Sequence, residues 1–340
     1  MSILKKLNNK SPYPQSILKF FVTRFSSTAQ YVDPGPFDEP FPDEPTSAYY
    51  DEQVLKASQN GDMAKVGYLL NKRVKDGCFN SLKTFSFITN TESSLKNLDP
   101  LIETLSRLDK GITRKHAFDS LIARLCKIER IEDSLRVVRL ITAKQGSGFR
   151  LNAATFHPIV SALAKKKTEE AWKVMDLMRD AGVSPDVTTY NFLLTAYCYE
   201  TKLTEAVAVV KKIEEEGMVA DARTYDALIL GACRAGKVEG GLVLLRSMMD
   251  AGLHVMYSTH SHVINGLLRV GYYDGAVRFV MACKGRDKML DKESFGVLAN
   301  KLMNLGRKSE AMVVLDEMKQ SGMVFGKKMK DFYEANLKSN

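Results

Sequence analysis

The sequence predicts an all-α chain, an α-solenoid (superhelix) of about eight helix-turn-helix repeats of roughly 35 residues. Three observations lead there. Tyr190, Tyr225, His260 and Phe295 are spaced 35 residues apart, and so are Ala206, Gly241, Ala276 and Ala311. Gly182, Gly217, Gly252 and Gly322 keep that phase with one copy skipped, while Gly236, Gly271 and Gly306 form a further series. A period of this size makes each repeat a supersecondary element stacked on its neighbours, with no single central core. Finally, the apolar spacing inside Val187 to Asp221 is helical: Tyr190, Leu193, Leu194, Tyr197 and Cys198 follow the i, i+3, i+4, i+7, i+8 rule. Ala206, Val209, Val210 and Ile213 repeat it after a polar break.

Two short amphipathic helices per repeat follow from this. Thr189 stands where it can cap the first, Pro185 ends the structure before it, and Gly217 supplies a left-handed residue after the second. Helices this short are marginal in water alone, so each pair must bury its apolar stripes against adjacent pairs and leave a concave face.

Composition sets bounds. The 340 residues are 45% hydrophobic and 26% charged, with no apolar run long enough for a membrane span, so no membrane association is expected. The formal charge is +9, but Lys5, Lys6, Lys10, Lys19 and Arg24 lie in the first 32 residues, where no acid occurs, leaving about +4 elsewhere. Any polyanion site must then be a local stripe. The five cysteines contain no CxxC pair. Cys126, Cys198 and Cys233 share one place in their repeats, on the buried side of the first helix, and are expected to be core thiols with no metal or other cofactor attached.

Along the chain, residues 1–32 are basic, hydroxylated and acid-free, the signature of a transit peptide, with Arg24 to Thr28 resembling a mitochondrial processing site. A mitochondrial address, in the matrix, is the expectation; a chloroplast address and a plain disordered tail are the alternatives. Residues 33–46, rich in Pro and acid, form a solvated linker. Residues 47–152 hold degenerate repeats, the first of about 47–81 turning at Asn60-Gly61-Asp62, the next two anchored by Thr84-Phe85 and Ala117-Phe118. A Gly-Ser-Gly insertion at 146–148 follows. Regular repeats occupy 153–326, as 153–186, 187–221, 222–256, 257–291 and 292–326, and 327–340 makes a Lys-rich C-terminal cap.

The string Ser184 to Asn191 (SPDVTTYN), the period and the recurring Ala/Gly resemble pentatricopeptide repeats of the plain, plant organellar P class. The related tetratricopeptide pattern is missing, and Trp172, the only Trp, lies in a second helix. The resemblance implies RNA binding in which each repeat addresses one base. The residue after the aromatic would meet the base, supported by the last residue of the repeat. Those pairs are Asp119 with Asn152, His157 with Asp186, Asn191 with Asp221, Asp226 with Met256, Ser261 with Asp291, and Gly296 with Gly326. Asn191 with Asp221 resembles a uracil-preferring pair and Ser261 with Asp291 a guanine-leaning one. Lys127, Lys165, Arg234 and Arg269 match the family's phosphate-binding place, where Tyr199 and Asn304 do not. The apolar wedge that the family sets between bases is replaced by Lys83, His116, Ala154, Thr188, Arg223, Ser258 and Glu293.

No catalytic constellation is present. His260 and His262 point to different helix faces, His260 stands at the packed aromatic position, and the HxE and CxxC of a deaminase are lacking. Neither enzyme activity nor a small-molecule substrate is expected. Two functions compete: a mitochondrial RNA-binding factor acting in transcript stability, processing or translation, and a structural subunit of the mitochondrial ribosome that binds rRNA and ribosomal proteins.

Overall fold

The computed structural model describes residues 45–143 and 151–337, which form seventeen helices and no strand. The expected transit peptide, nearly all of the linker and the Gly-Ser-Gly insertion lie outside the described residues. The fold class is the predicted one, an all-α solenoid of helical hairpins. The chain divides into two compact units, up to Arg124 and from Leu125 onward.

In the first unit, α1 (Ser47–Gln59) and α2 (Met63–Lys75) make a hairpin that turns at the expected Asn60-Gly61-Asp62. Gly61 takes φ +73° there, and the Asp62 carboxylate accepts from the Lys65 amide at 2.8 Å, capping α2. The helix expected around Thr84-Phe85 does not form; residues 82–87 are turns, followed by α3 (Glu92–Leu95) and α4 (Leu98–Arg107). The cause is a local polar network. The fully buried Arg73 donates to Asp51 Oδ1 (2.9 Å), Thr84 Oγ1 (3.0 Å) and the Phe79 carbonyl (2.8 Å), and Thr84 donates in turn to Asp51 (2.8 Å). A threonine held this way offers the backbone an alternative to helix. Helix α5 (Ile112–Lys127) completes this part of the chain.

The second unit holds α6 (Ile131–Ala143) and then five hairpins in regular order: α7 (Ala153–Ala164) with α8 (Thr168–Asp180), α9 (Val187–Tyr199) with α10 (Leu203–Glu215), α11 (Ala222–Arg234) with α12 (Val238–Asp250), α13 (Tyr257–Arg269) with α14 (Tyr273–Cys283), and α15 (Lys288–Asn304) with α16 (Lys308–Gln320). The C-terminal segment forms α17 (Lys327–Leu337). Every second helix from α8 to α16 starts 35 residues after the last, whereas α15 begins four residues before the expected 292. The reason is Asp287, whose carboxylate accepts from the Met289 and Leu290 amides (2.8 and 3.2 Å) and caps α15 early.

The core is the predicted stripe: Tyr190, Leu193, Leu194, Tyr197 and Cys198 are buried against Ala206, Val209 and Ile213, and Met178, Met248 and Met318 fill the second-helix side. Neighbouring first helices approach closely. A Cβ on Gly231 would stand 2.8 Å from Cys198 Sγ, and one on Gly266 would stand 2.8 Å from Cys233 Cβ. Burial pushes the Cys126 thiol up to about 11 and those of Cys198 and Cys233 up to about 12, so these sulfurs are inert packing groups.

His260 is buried at the aromatic position. Its Nδ1 lies 3.0 Å from Ser294 Oγ and its ring meets Phe279 edge-on at 5.2 Å. Burial lowers its pKa below the ordinary 6.5, with Arg286 acting in the same direction and Asp291 opposing. The folded chain therefore keeps this imidazole neutral at pH values where the unfolded chain has taken up a proton, and stability contributed by it is lost as pH falls below about 6.5. His260→Phe is expected to flatten the acid side of the stability profile by up to about 1.4 kcal/mol per pH unit, read from urea midpoints between pH 7.5 and 5.5. Parallel profiles for the two proteins would contradict this.

Candidate nucleic-acid interface

The expected base-reading residues lie where one repeat meets the next, and two such junctions share one design. Asp186 is the N-cap of α9: its Oδ1 accepts from the Thr189 amide (2.8 Å) and hydroxyl (2.7 Å), and the Asp186 amide donates back to Thr189 Oγ1 (3.4 Å). The same Oδ1 lies 2.9 Å from His157 Nε2 of the preceding repeat. Burial works to raise the Asp186 carboxyl, but the bonds from Thr189 and His157 outweigh it and hold the group below its ordinary value. An ionised carboxylate only accepts, so His157 Nε2 carries the proton.

One repeat later, Asp221 caps α11 in the same way, accepting from the Thr224 amide at 2.9 Å. Asn191 Nδ2 donates to Asp221 Oδ1 (2.9 Å), and the Thr224 hydroxyl donates to Asn191 Oδ1 (2.8 Å). The amide is thereby oriented from both sides. Asn191 is 4% exposed, and its second N–H and second lone pair have no further bond among the described residues.

The third junction reverses the arrangement. Met256 stands at the N-cap of α13 and offers no side-chain cap. The carboxylate comes instead from Asp226, which accepts from the Thr259 hydroxyl at 2.7 Å and the Ser258 hydroxyl at 3.1 Å, with His262 Nε2 at 3.5 Å. Burial raises the Asp226 carboxyl, yet His262, Thr259 and Ser258 together bring it below its ordinary value. At the fourth junction the expected pair is not joined. The early start of α15 carries Asp291 into the helix, where it is 7% exposed and accepts from the Gly285 amide at 2.8 Å, while Ser261 accepts from Asn265 at 3.3 Å. Gly296 and Gly326 bring no side chain. Of the remaining pair, Asp119 is bonded to Lys115 and Asn152 caps α7 through Thr155 (3.3 Å).

The expected phosphate cations sit at the ends of first helices. Lys127 and Lys165 are exposed, at the ends of α5 and α7. Arg234 donates through Nε to the Tyr199 carbonyl at 2.6 Å, with its guanidinium 4.0 Å from the centre of the Tyr199 ring. Arg269 donates through Nη1 to the Arg234 carbonyl at 2.8 Å. Each arginine thus covers a terminal carbonyl of the preceding repeat, where a helix dipole favours a cation.

The profile of the PPR repeat family matches residues 151–199 and 185–234, and that of the PPR repeat matches 223–253 and 293–323. A mitochondrial pentatricopeptide repeat-containing protein of Arabidopsis thaliana is 42% identical over 99% of this chain and 95% of its own length. The chain belongs to the pentatricopeptide repeat family. A second mitochondrial pentatricopeptide repeat-containing protein of Arabidopsis thaliana is 46% identical over 85% of this chain and 82% of its own length. This pentatricopeptide repeat protein is accordingly mitochondrial. The crystal structure of the pentatricopeptide repeat protein PPR10 from maize is similar at a TM-score of 0.51 and 21% identity, over 84% of this chain and 41% of that one, a likeness of fold.

For this pentatricopeptide repeat protein, sequence reasoning placed the cap of α9 on Thr189; the cap is Asp186, and Thr189 is its reciprocal partner. The signal was present as Asp-x-x-Thr at 186–189 and 221–224, a capping-box spacing. Also missed was that the row from Tyr199 through Arg234 to Arg269 is linked, each arginine donating to the terminal carbonyl 35 residues before it.

The reversed third junction generates a test. Met256→Asp alone sets a second carboxylate against Asp226 at the same threonine and is expected to destabilise. Asp226→Asn with Met256→Asp rebuilds the Asn191 and Asp221 arrangement and is expected to recover that loss, a coupling on the order of 1 kcal/mol in a double-mutant cycle. Additive effects in urea unfolding would show that Asp226 does not substitute for the missing cap.

Proposed function

We propose that this protein binds single-stranded mitochondrial RNA along the junction face of its second unit and acts in transcript stability, processing or translation. The observation that carries the proposal is the Asn191, Asp221 and Thr224 assembly. Its amide is oriented by two neighbours and keeps one donor beside one acceptor. That pattern complements the Watson–Crick edge of a pyrimidine, with N–H to a carbonyl and C=O from the imino group of uracil. Lys127, Lys165 and Arg269 would hold the strand through phosphates, and His157 with Asp186 would meet the neighbouring base. The two Arabidopsis relatives support the mitochondrial setting, with residues 1–32 as the matrix-targeting segment.

A second reading, a ribosomal subunit that scaffolds rRNA and ribosomal proteins, draws support from the junctions at Asp226 and Asp291, where the reading carboxylates are bonded within the protein. Sedimentation of organelle lysate separates the two. Enrichment of few transcripts after crosslinking favours the first, and comigration with ribosomal subunits after RNase trimming favours the second.

In filter binding, Asn191→Ser is expected to relax uracil preference at one position of a bound oligonucleotide. Lys165→Ala and Arg269→Ala are each expected to weaken all sequences alike and to lower the salt slope by about 0.7. Affinity indifferent to all three would sink the proposal.

A further inference from the structure

The row of first-helix ends in the second unit runs Lys127, Lys165, Tyr199, Arg234, Arg269, Asn304. Four members are cations and the last is an amide; Tyr199 is the one aromatic ring among them. Tyr190 and Tyr197 of the same helix are buried, and their hydroxyls bond Glu216 and Trp172. Tyr199 is 59% exposed and its hydroxyl has no partner among the described residues. The Arg234 guanidinium lies 4.0 Å from the ring centre. That guanidinium is itself held, because Arg234 Nε is tied to the Tyr199 carbonyl.

We propose that the Tyr199 ring, backed by Arg234, is a stacking site for one nucleobase of a bound single strand, placed where the row of cations is interrupted. The inference rests on the RNA-binding function proposed above and adds to it a contact that reads no base edge. A guanidinium lying along the ring draws on its π-electrons, and the rest of the exposed ring remains to meet a planar base. Stacking of this kind tolerates any base, since each has a π-face, and it is independent of the base-reading junctions. Both partners are also pre-set, so little rotamer freedom is lost on binding. Cations on either side, Lys165 before and Arg234 and Arg269 after, would bring the backbone to the ring.

The rival role, a seat for Arg234 and nothing more, predicts different results. Full-length protein is titrated with fluorescein-labelled single-stranded A14 and U14 at several salt concentrations. Tyr199→Ala is expected to weaken both about fivefold or more, A14 by the larger factor because purines stack more strongly, with an unchanged salt slope. Tyr199→Phe is expected to bind as wild type. Tyr199→Lys, which completes the cation row, is expected to remain weaker than wild type despite a steeper salt slope. Wild-type affinity for Tyr199→Ala, or tighter binding by Tyr199→Lys, would overturn the stacking site and leave RNA binding intact. Failure of wild-type protein to bind either oligonucleotide would overturn both. The side chain is exposed and outside the core, so these variants are expected to fold, and matched unfolding curves confirm it.

Discussion

The second unit depends on one interaction more than any other: at the four junctions from α9 to α15, a carboxylate that accepts from the third residue of the next first helix. Asp186 does this for α9 and Asp221 for α11. Where Met256 cannot, Asp226 reaches forward from the preceding helix to Thr259. The constraint is simple. Four amides at a helix N-terminus have no partner within the helix, and a side-chain acceptor at the cap satisfies one or two of them. A cap contributes about 0.5 to 2 kcal/mol, a large share of what a thirteen-residue helix can gain locally.

This double duty ties specificity to stability. The carboxylate that caps α11 also orients Asn191, so Asp221 cannot be changed for the sake of base preference without loosening a helix end. At α13 the Met256 cap offers no side-chain acceptor, and Asp226, spent on the Ser258 and Thr259 hydroxyls beside His262, has little left to offer a ligand. Junctions therefore differ less in their content of polar groups than in which groups remain uncommitted.

Much of the fold was legible in the sequence. The 35-residue spacing of aromatics and small residues, and the i, i+3, i+4 stripe around Tyr190, are direct consequences of helical geometry and stacking, and they fixed the order of hairpins from α7 to α16. Less legible was whatever depended on a side chain reaching across repeats. Thr84 looked like a helix-anchoring residue because its neighbour Phe85 has the right spacing; its burial beside Arg73 and Asp51, far apart in sequence, turned that segment into turns. The bond from Arg234 to the Tyr199 carbonyl was not legible, because charge is visible in a sequence while a carbonyl at the preceding helix end is not. His260 could be placed by phase alone, because position determines burial whatever the residue.

The start of α15 shows why counting residues fails at one place and holds elsewhere. Second helices keep their period together with the small buried residues Ala171, Ala206, Gly241, Ala276 and Ala311, and at Gly241 the contact is with the hairpin's own first helix. A larger side chain would have no room: a Cβ on Gly241 would already lie 2.9 Å from Cys233 Sγ. First helices have no such stop at their N-termini, and their start is set by whichever residue caps best. In the segment from Lys284 to Asp291 that residue is Asp287, and the helix begins there. Asp291 then has the identity and the count of a junction carboxylate but stands in the first turn, facing Gly285. The loss of a pair with Ser261 is therefore a shift of frame, produced by a competing cap four residues upstream.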